Sequence, residues 1–154
     1  MHAGVFADRN TTRAQEAVDL LAAFLYAETQ SESVRTREAI AATVANQVRR
    51  LEAAASAESR EPRAAISLRS RLFIECIQAL TATAKLNQAR DDPLYASCVR
   101  IAHRAVSGAL QDPTYGALRF HKLGKRPAWA RNLSAAMWIG SYLFYLEADD
   151  GTHV

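Results

Sequence analysis

The stretch LLAAFLYAETQSES, residues 20–33, joins an apolar stripe to a polar turn. Val18, Leu21 and Leu25 recur at the spacing that puts them on one helix face, and Glu28 is the next member of that stripe. A second carboxylate, Glu32, follows four residues later. A carboxylate that ends a buried stripe costs desolvation energy unless something compensates, and burial raises its pKa. Two readings follow. In one, the helix ends there and Glu28 simply reaches water. In the other, Glu28 is a catalytic acid that burial keeps protonated.

Working outward, Asn10, Thr11 and Thr12 open the first helix, with Thr12 and Gln15 spaced as a capping box. "TQSES" ends that helix near Glu28. Thr36 caps a second helix with the stripe Ile40, Val44, Val48 and Leu51. "AAASAESREPRAA", with Pro62, reads as a loop. Phe73, Ile77 and Leu80 anchor a third helix that extends towards Leu86. Asp92-Pro93 is a helix start, because aspartate caps free N–H groups and proline suits the first turn. The fourth helix carries Leu94, Cys98, Ile101 and Ala105, with Val106 and Leu110 close by, and ends before the turn "QDPTYG".

The last third has a different character. "GALRFHKLGKRPAWARNLS" shows no sustained helical period, and "AMWIGSYLFYL" sets Gly140-Ser141 between two short apolar runs, a hairpin signal. The expected fold class is mainly α (α+β), a helical domain with a small C-terminal β-hairpin or sheet element. One domain spans 1–154, with flexible ends at 1–10 and 147–154.

The 154 residues are 49% hydrophobic and 23% charged, with only 6 Gly and 4 Pro, which favours a soluble helical domain. No apolar run is long enough for a transmembrane segment, and the N-terminus shows no signal peptide. Cys76 and Cys98 sit at apolar helical positions and read as free buried thiols, with a single bridge open only outside the cytoplasm. Residues 85–146 carry nine basic and three acidic side chains, a net +6. Such a face suits a polyanion, whether nucleic acid, anionic membrane or cell-wall polymer, or is a solvated surface.

Two segments carry a resemblance: "LYAETQSESVRTREAIAATVANQV" and "DPTYGALRFHKLGKRPAWARNLSAAMWIGSYLFYL". In order and content they resemble the SleB/CwlJ-like cell wall hydrolases, the family that includes spore-cortex lytic enzymes. The first block matches that family's tyrosine-x-glutamate, second glutamate and following helix at Tyr26, Glu28, Glu32 and Asn46. The closing block resembles "GALxFH…RPAWA…IGxHxFY" at Gly116, Ala117, Leu118, Phe120, His121, Arg126, Pro127, Ala128, Trp129, Ile139, Gly140, Phe144 and Tyr145. The chain departs from the pattern at Gln47, at Thr29-Gln30-Ser31, at Tyr115, where a glycine is common, and in its central segment "SLRSRLFIECIQAL".

The resemblance implies a lysozyme-like fold and cleavage of the β-1,4 bond between N-acetylmuramic acid and N-acetylglucosamine in peptidoglycan glycan strands. Glu28 is then the catalytic acid, and a lytic transglycosylase needs no second carboxylate. Glu32 would lie about 5–6 Å away if the helix continued, but "TQSES" breaks it, so Glu32 reads as structural or substrate-orienting. Tyr26, Glu32, Asn46, Tyr115, His121 and Trp129 are the substrate-binding candidates. Each has a packing alternative: Tyr26 and Trp129 as core, His121 as a hydrogen-bonded structural histidine, Asn46 as a tie to the opposite loop. No cofactor or metal is expected, and no nucleic acid partner. Action is expected at the cell wall, with export or a phage-like particle as delivery routes. The alternatives are a basic helical binding module without catalysis, and a structural component of a phage-like particle.

Overall fold

A computed structural model describes residues 3–56, 62–81 and 90–146. Four helices come first: α1 (Ala3–Glu28), α2 (Val34–Ser56), α3 (Pro62–Leu80) and α4 (Pro93–Ser107). A three-stranded sheet follows, built from β1 (Arg119–Lys122), β2 (Met137–Ile139) and β3 (Tyr142–Tyr145), with one 3-10 turn at Ala128–Ala130. The fold is mainly α with a small β element, as expected. No helix among the described residues is long and apolar enough to cross a membrane.

Helix α1 lies against α3 and α4, α2 packs on α3 and α4, and the sheet rests on α2. The core is formed by Leu21, Leu25, Ile40, Val44, Val48, Phe73, Ile77, Cys98 and Ile101, joined from the sheet by Tyr142 and Phe144. Ala17, Ala22, Ala39, Ala41 and Ala102 are fully buried among them. These small residues let the helices approach closely, which is how an alanine-rich chain reaches native packing density. Cys98 is buried and Cys76 half-buried, and both are free.

The helix ends show where local signals acted. Helix α2 is capped by Ser33, whose Oγ accepts from the Thr36 N–H at 3.3 Å. Thr36 therefore lies in the first turn, not at the cap. The first helix begins at Ala3, ahead of the expected start at Asn10–Thr12. No proline or glycine-rich break separates the two points, so the helix continues through the polar residues. Residues 53–56 continue α2, and Pro62 opens α3, where a missing N–H costs nothing. The joining segment 57–61 and the extension towards Leu86 lie outside the described residues, as does 147–154. Leu51 and Leu80 are exposed, so their stripes end one turn earlier, at Val48 and Ile77. At α4 the capping is as expected. The Asp92 carboxylate accepts from the Leu94 N–H at 2.9 Å, and Gly108 closes the helix in the left-handed region at φ 82°. Tyr95, rather than Leu94, is the buried residue of its first turn.

The β2–β3 hairpin turns at Gly140-Ser141 with Ile139 opposite Tyr142 and Met137 opposite Phe144. Gly140 at φ 59° supplies the positive φ that a two-residue hairpin needs at its first loop position. Strand β1 is an addition to the expected hairpin. It pairs with the other side of β3, His121 opposite Leu143 and Lys122 opposite Tyr142, so β3 is central and β1 is an edge. Four residues are too few for a strand pattern to stand out from a loop.

Polar ties fix the sheet to the bundle. Asn46 Nδ2 donates to Asp112 Oδ2 at 2.9 Å and to the Ala117 carbonyl at 3.0 Å, and Gln47 Nε2 donates to the Leu118 carbonyl. Asp112 also accepts from Thr114 N, Thr114 Oγ1 and Gly116 N. Burial pushes the Asp112 carboxyl up, but these hydrogen bonds outweigh it and hold the pKa below the usual carboxylate value.

Two outcomes follow. A Cβ added at Gly140 would sit 2.4 Å from Thr36 Oγ1 and 2.5 Å from Glu32 Oε2, in a backbone conformation that disfavours any side chain. Gly140→Ala is expected to cost about 2 kcal/mol and to lower Tm by roughly 4–8 °C in calorimetry. Asp112 has a depressed pKa in the folded state, so its stabilisation is complete above the unfolded value of about 3.9 and lost as pH falls through the folded one. The stability gap between wild type and Asp112→Asn, from urea denaturation, is therefore expected to shrink between about pH 7 and about pH 3.

Candidate active site

Glu28 is the last residue of α1. The stripe's burial ends at Leu25, and Glu28 itself is exposed, which corrects the expectation that the protein packs around its carboxyl. Its position is set instead by a hydrogen bond from the sheet. The hydroxyl of Tyr142, on the central strand, donates to Glu28 Oε1 at 2.8 Å and lies 3.2 Å from the Glu28 carbonyl. Tyr142 is fully buried. Burial, followed by the bond to Glu28, pushes its pKa well above the ordinary phenol value, so it holds its proton and stays a donor. The bond from Tyr142 engages Oε1 and not Oε2.

The carboxyl opens onto a groove of about 440 Å³. It is lined by Phe120, His121 and Lys122 of β1 and, from the segment that follows, by Lys125, Arg126, Pro127 and Trp129, the last in the 3-10 turn. Glu28 is the only carboxylate lining it among the described residues. Two of the candidates, His121 and Trp129, are thus brought to Glu28.

Both ring nitrogens of His121 are engaged. Nδ1 lies 2.9 Å from the Lys122 carbonyl and Nε2 lies 2.8 Å from the Tyr145 hydroxyl. Because a carbonyl only accepts, the Nδ1–H donates to it, while Nε2 and the Tyr145 hydroxyl share the second bond. Trp129 packs edge-on against Tyr145 and His121, at 5.2 and 5.7 Å between centroids, and the Arg119 guanidinium sits 5.2 Å above its ring. Trp129 is half-buried, so it is both packing and wall.

The other candidates lie elsewhere. Tyr26, two residues before Glu28 and so about 200° round the helix, faces away from the sheet. Its hydroxyl donates to Asp92 Oδ2 at 2.7 Å, and its ring meets Tyr95 edge-on. That bond is the main reason the Tyr26 pKa is raised and the Asp92 pKa lowered. Asn46 bonds the opposite loop, as described above. Glu32 does not line the groove; its carboxylate packs under Gly140 beside Thr36. Tyr115 is exposed and holds φ 57°, a conformation suited to the glycine common at that position. It too is absent from the groove wall.

The turn between Glu28 and α2 is braced by Arg37, buried at 5% exposure. Its Nε donates to Thr29 Oγ1 at 3.1 Å, and Nη2 donates to the carbonyls of Thr29 and Glu32 at 3.3 and 2.7 Å. The guanidinium therefore stands where the carbonyl end of α1 is electronegative, and α1 has no basic residue in its own last turn.

Sequence reasoning missed Tyr142. The signal was present: Tyr142 stands where the closing pattern "IGxHxFY" has histidine, one turn residue after Gly140. Arg37 left no comparable mark, because an arginine on a helix reads as a surface residue.

The cell wall hydrolase family model matches residues 31–145. The matched segment opens just past Glu28 and takes in Glu32, α2 and the whole closing block. Two solved structures are similar. One is the catalytic domain of the germination-specific lytic transglycosylase SleB from Bacillus anthracis, at 20% identity and TM-score 0.50, covering 85% of this chain and 94% of that one. The other is the catalytic domain of the Bacillus cereus SleB protein, at 20% identity and TM-score 0.49, covering 85% of this chain and 90% of that one. At this identity the likeness concerns the fold alone. No curated protein matches the chain. With three quarters of its length matched by the family model, the chain belongs to the cell wall hydrolase family.

Proposed function

We propose that this chain cleaves the β-1,4 bond between N-acetylmuramic acid and N-acetylglucosamine in peptidoglycan, as a lytic transglycosylase with Glu28 as its single catalytic carboxylate. Family membership supports the substrate class. The observation that carries the reaction type is that Glu28 is the only carboxylate lining the groove among the described residues. A hydrolase ordinarily sets a second carboxylate across the scissile bond to activate water or to form a glycosyl intermediate. Glu32, the nearest alternative in sequence, packs under the hairpin turn.

The chemistry balances with one acid. Protonated Oε2 of Glu28 gives its proton to the glycosidic oxygen as the bond from that oxygen to the muramic C1 breaks. The resulting carboxylate takes the proton of the muramic 6-hydroxyl, and O6 forms the new bond to C1. The products are a 1,6-anhydromuramic end and a free 4-hydroxyl, and Glu28 is again protonated. A glycan laid across the groove displaces water from Glu28, so the proton passes between acid and sugar with no solvent between them. Tyr142 keeps Oε1 engaged through the cycle, so the same oxygen faces the sugar in both proton transfers. The exposed part of Trp129 offers a flat apolar surface for a sugar face.

Glu28→Gln keeps the shape and the Tyr142 contact but cannot transfer the proton. It is expected to lose clearing of purified peptidoglycan in zymograms by a factor of about 10³ or more, with unchanged circular dichroism. Clearing that survives this change contradicts the proposal. Tyr142→Phe removes a hydrogen bond to a carboxylate worth about 1.5–3 kcal/mol. Turnover assays are expected to show kcat reduced about tenfold or more, with KM little affected.

A further inference from the structure

Resting on the reading just given, we infer that Lys122, Lys125 and Arg126 form a subsite for carboxylates of the peptide stems that branch from the glycan strand. The three cations stand within five residues along the lining of the groove that holds Glu28. Their placement is fixed by the backbone. Lys122 and Lys125 are the first and last residues of a tight turn, closed by the Lys125 N–H on the Lys122 carbonyl at 3.3 Å, with Gly124 at φ 89°. That turn geometry brings the two lysine Cα atoms within about 7 Å. The turn is held on the sheet by the Leu123 N–H, which donates to the Ser141 carbonyl at 2.8 Å. Arg126 is anchored through Nη2 to the carbonyls of Ala130 and Arg131 at 3.2 and 3.3 Å, so its guanidinium is held in place before any ligand arrives.

No carboxylate lies within ion-pair distance of these three residues among the described residues. Glu28, in the same groove, is bonded through Oε1 to Tyr142 and makes no ion pair with the three. Two ammonium groups and a guanidinium are thus gathered without an acidic partner, at a repulsive cost that an incoming anion relieves. The backbone of the glycan is neutral. Its carboxylates are carried by the stems, and each stem leaves from the lactyl ether of a muramic acid, the sugar whose C1 bond Glu28 addresses. An acid seated on Lys122 and Lys125 fixes the strand's register, so that a muramyl bond, rather than a glucosaminyl one, meets Glu28.

The test compares kcat/KM on three preparations of the same strands, all freed of teichoic acid. One keeps its stems, one has been stripped by an amidase and has the lactyl carboxyls thereby freed converted to amides, and one keeps stems whose carboxyls are converted to amides. Wild type is expected to favour stem-bearing strands over both others by about fivefold or more, the scale of two or three exposed ion pairs. That ratio is expected to fall towards one in Lys122→Gln/Lys125→Gln protein and at high salt. Equal cutting of the three preparations by wild type overturns the subsite, as does a full ratio in the double variant. A preference absent from these three but present in matched preparations that keep their teichoic acid also overturns it, in favour of phosphate. If Glu28-dependent cleavage of every strand is missing, the peptidoglycan reading itself fails, and the subsite with it.

Discussion

One hydroxyl joins the two halves of this protein. Tyr142 reaches from the central strand to the end of α1 and bonds the Glu28 carboxylate at 2.8 Å. Helix ends are where a backbone has unspent carbonyls, and the same hydroxyl lies 3.2 Å from the last carbonyl of that helix. The small sheet is thus no ornament on a helical bundle. It supplies the buried donor without which an exposed glutamate on a helix terminus would sample several rotamers. A buried tyrosine whose pKa is pushed up by burial and by the bond to Glu28 is suited to that role, since it holds the proton it donates.

Much of the remaining polar architecture serves the same joint. Arg37 braces the turn that follows Glu28. Thr36 and the Glu32 carboxylate crowd the Gly140 backbone, which explains why the hairpin turns on a residue with no side chain. Asn46, Gln47 and Asp112 tie the approach to β1 onto α2. On α1, the tyrosine and glutamate of "YAE" face opposite ways. Tyr26 holds the capping aspartate of α4, and Glu28 meets the sheet. A two-residue spacing on a helix therefore couples the bundle's packing to the groove's geometry.

The sequence made the helical body readable because its stripes are long and its breaks carry strong signals: the Asp92-Pro93 start, the polar turn after Glu28, and Gly140-Ser141 between apolar runs. Where it misled, a weak local signal met a stronger tertiary one. Thr12–Gln15 looked like a cap, but helix α1 runs through it, and Ser33, three residues before Thr36, has the cap instead. The stripe rule also implied that Glu28 would be buried, because Leu25 and Glu28 share a face. A stripe does not say where the neighbouring helix stops, and at Glu28 the packing has ended. The closing block brought His121 and Trp129 to the groove but not Tyr115, and Asn46 proved to be a tie to the opposite loop. Tyr142 and Arg37 escaped because their importance lies in contacts 114 and 8 residues distant in the chain, which no periodicity records.

A groove with one carboxylate among its described lining residues makes a definite statement about where the atoms go. Digesting peptidoglycan in water enriched with heavy oxygen, then weighing the released muropeptides, tests that statement most directly. If Glu28 acts alone through the muramic 6-hydroxyl, the new ends are 1,6-anhydro sugars, lighter by one water and free of heavy oxygen. New ends that are reducing sugars carrying the label would show that water attacks C1, and the single-carboxylate account would be wrong.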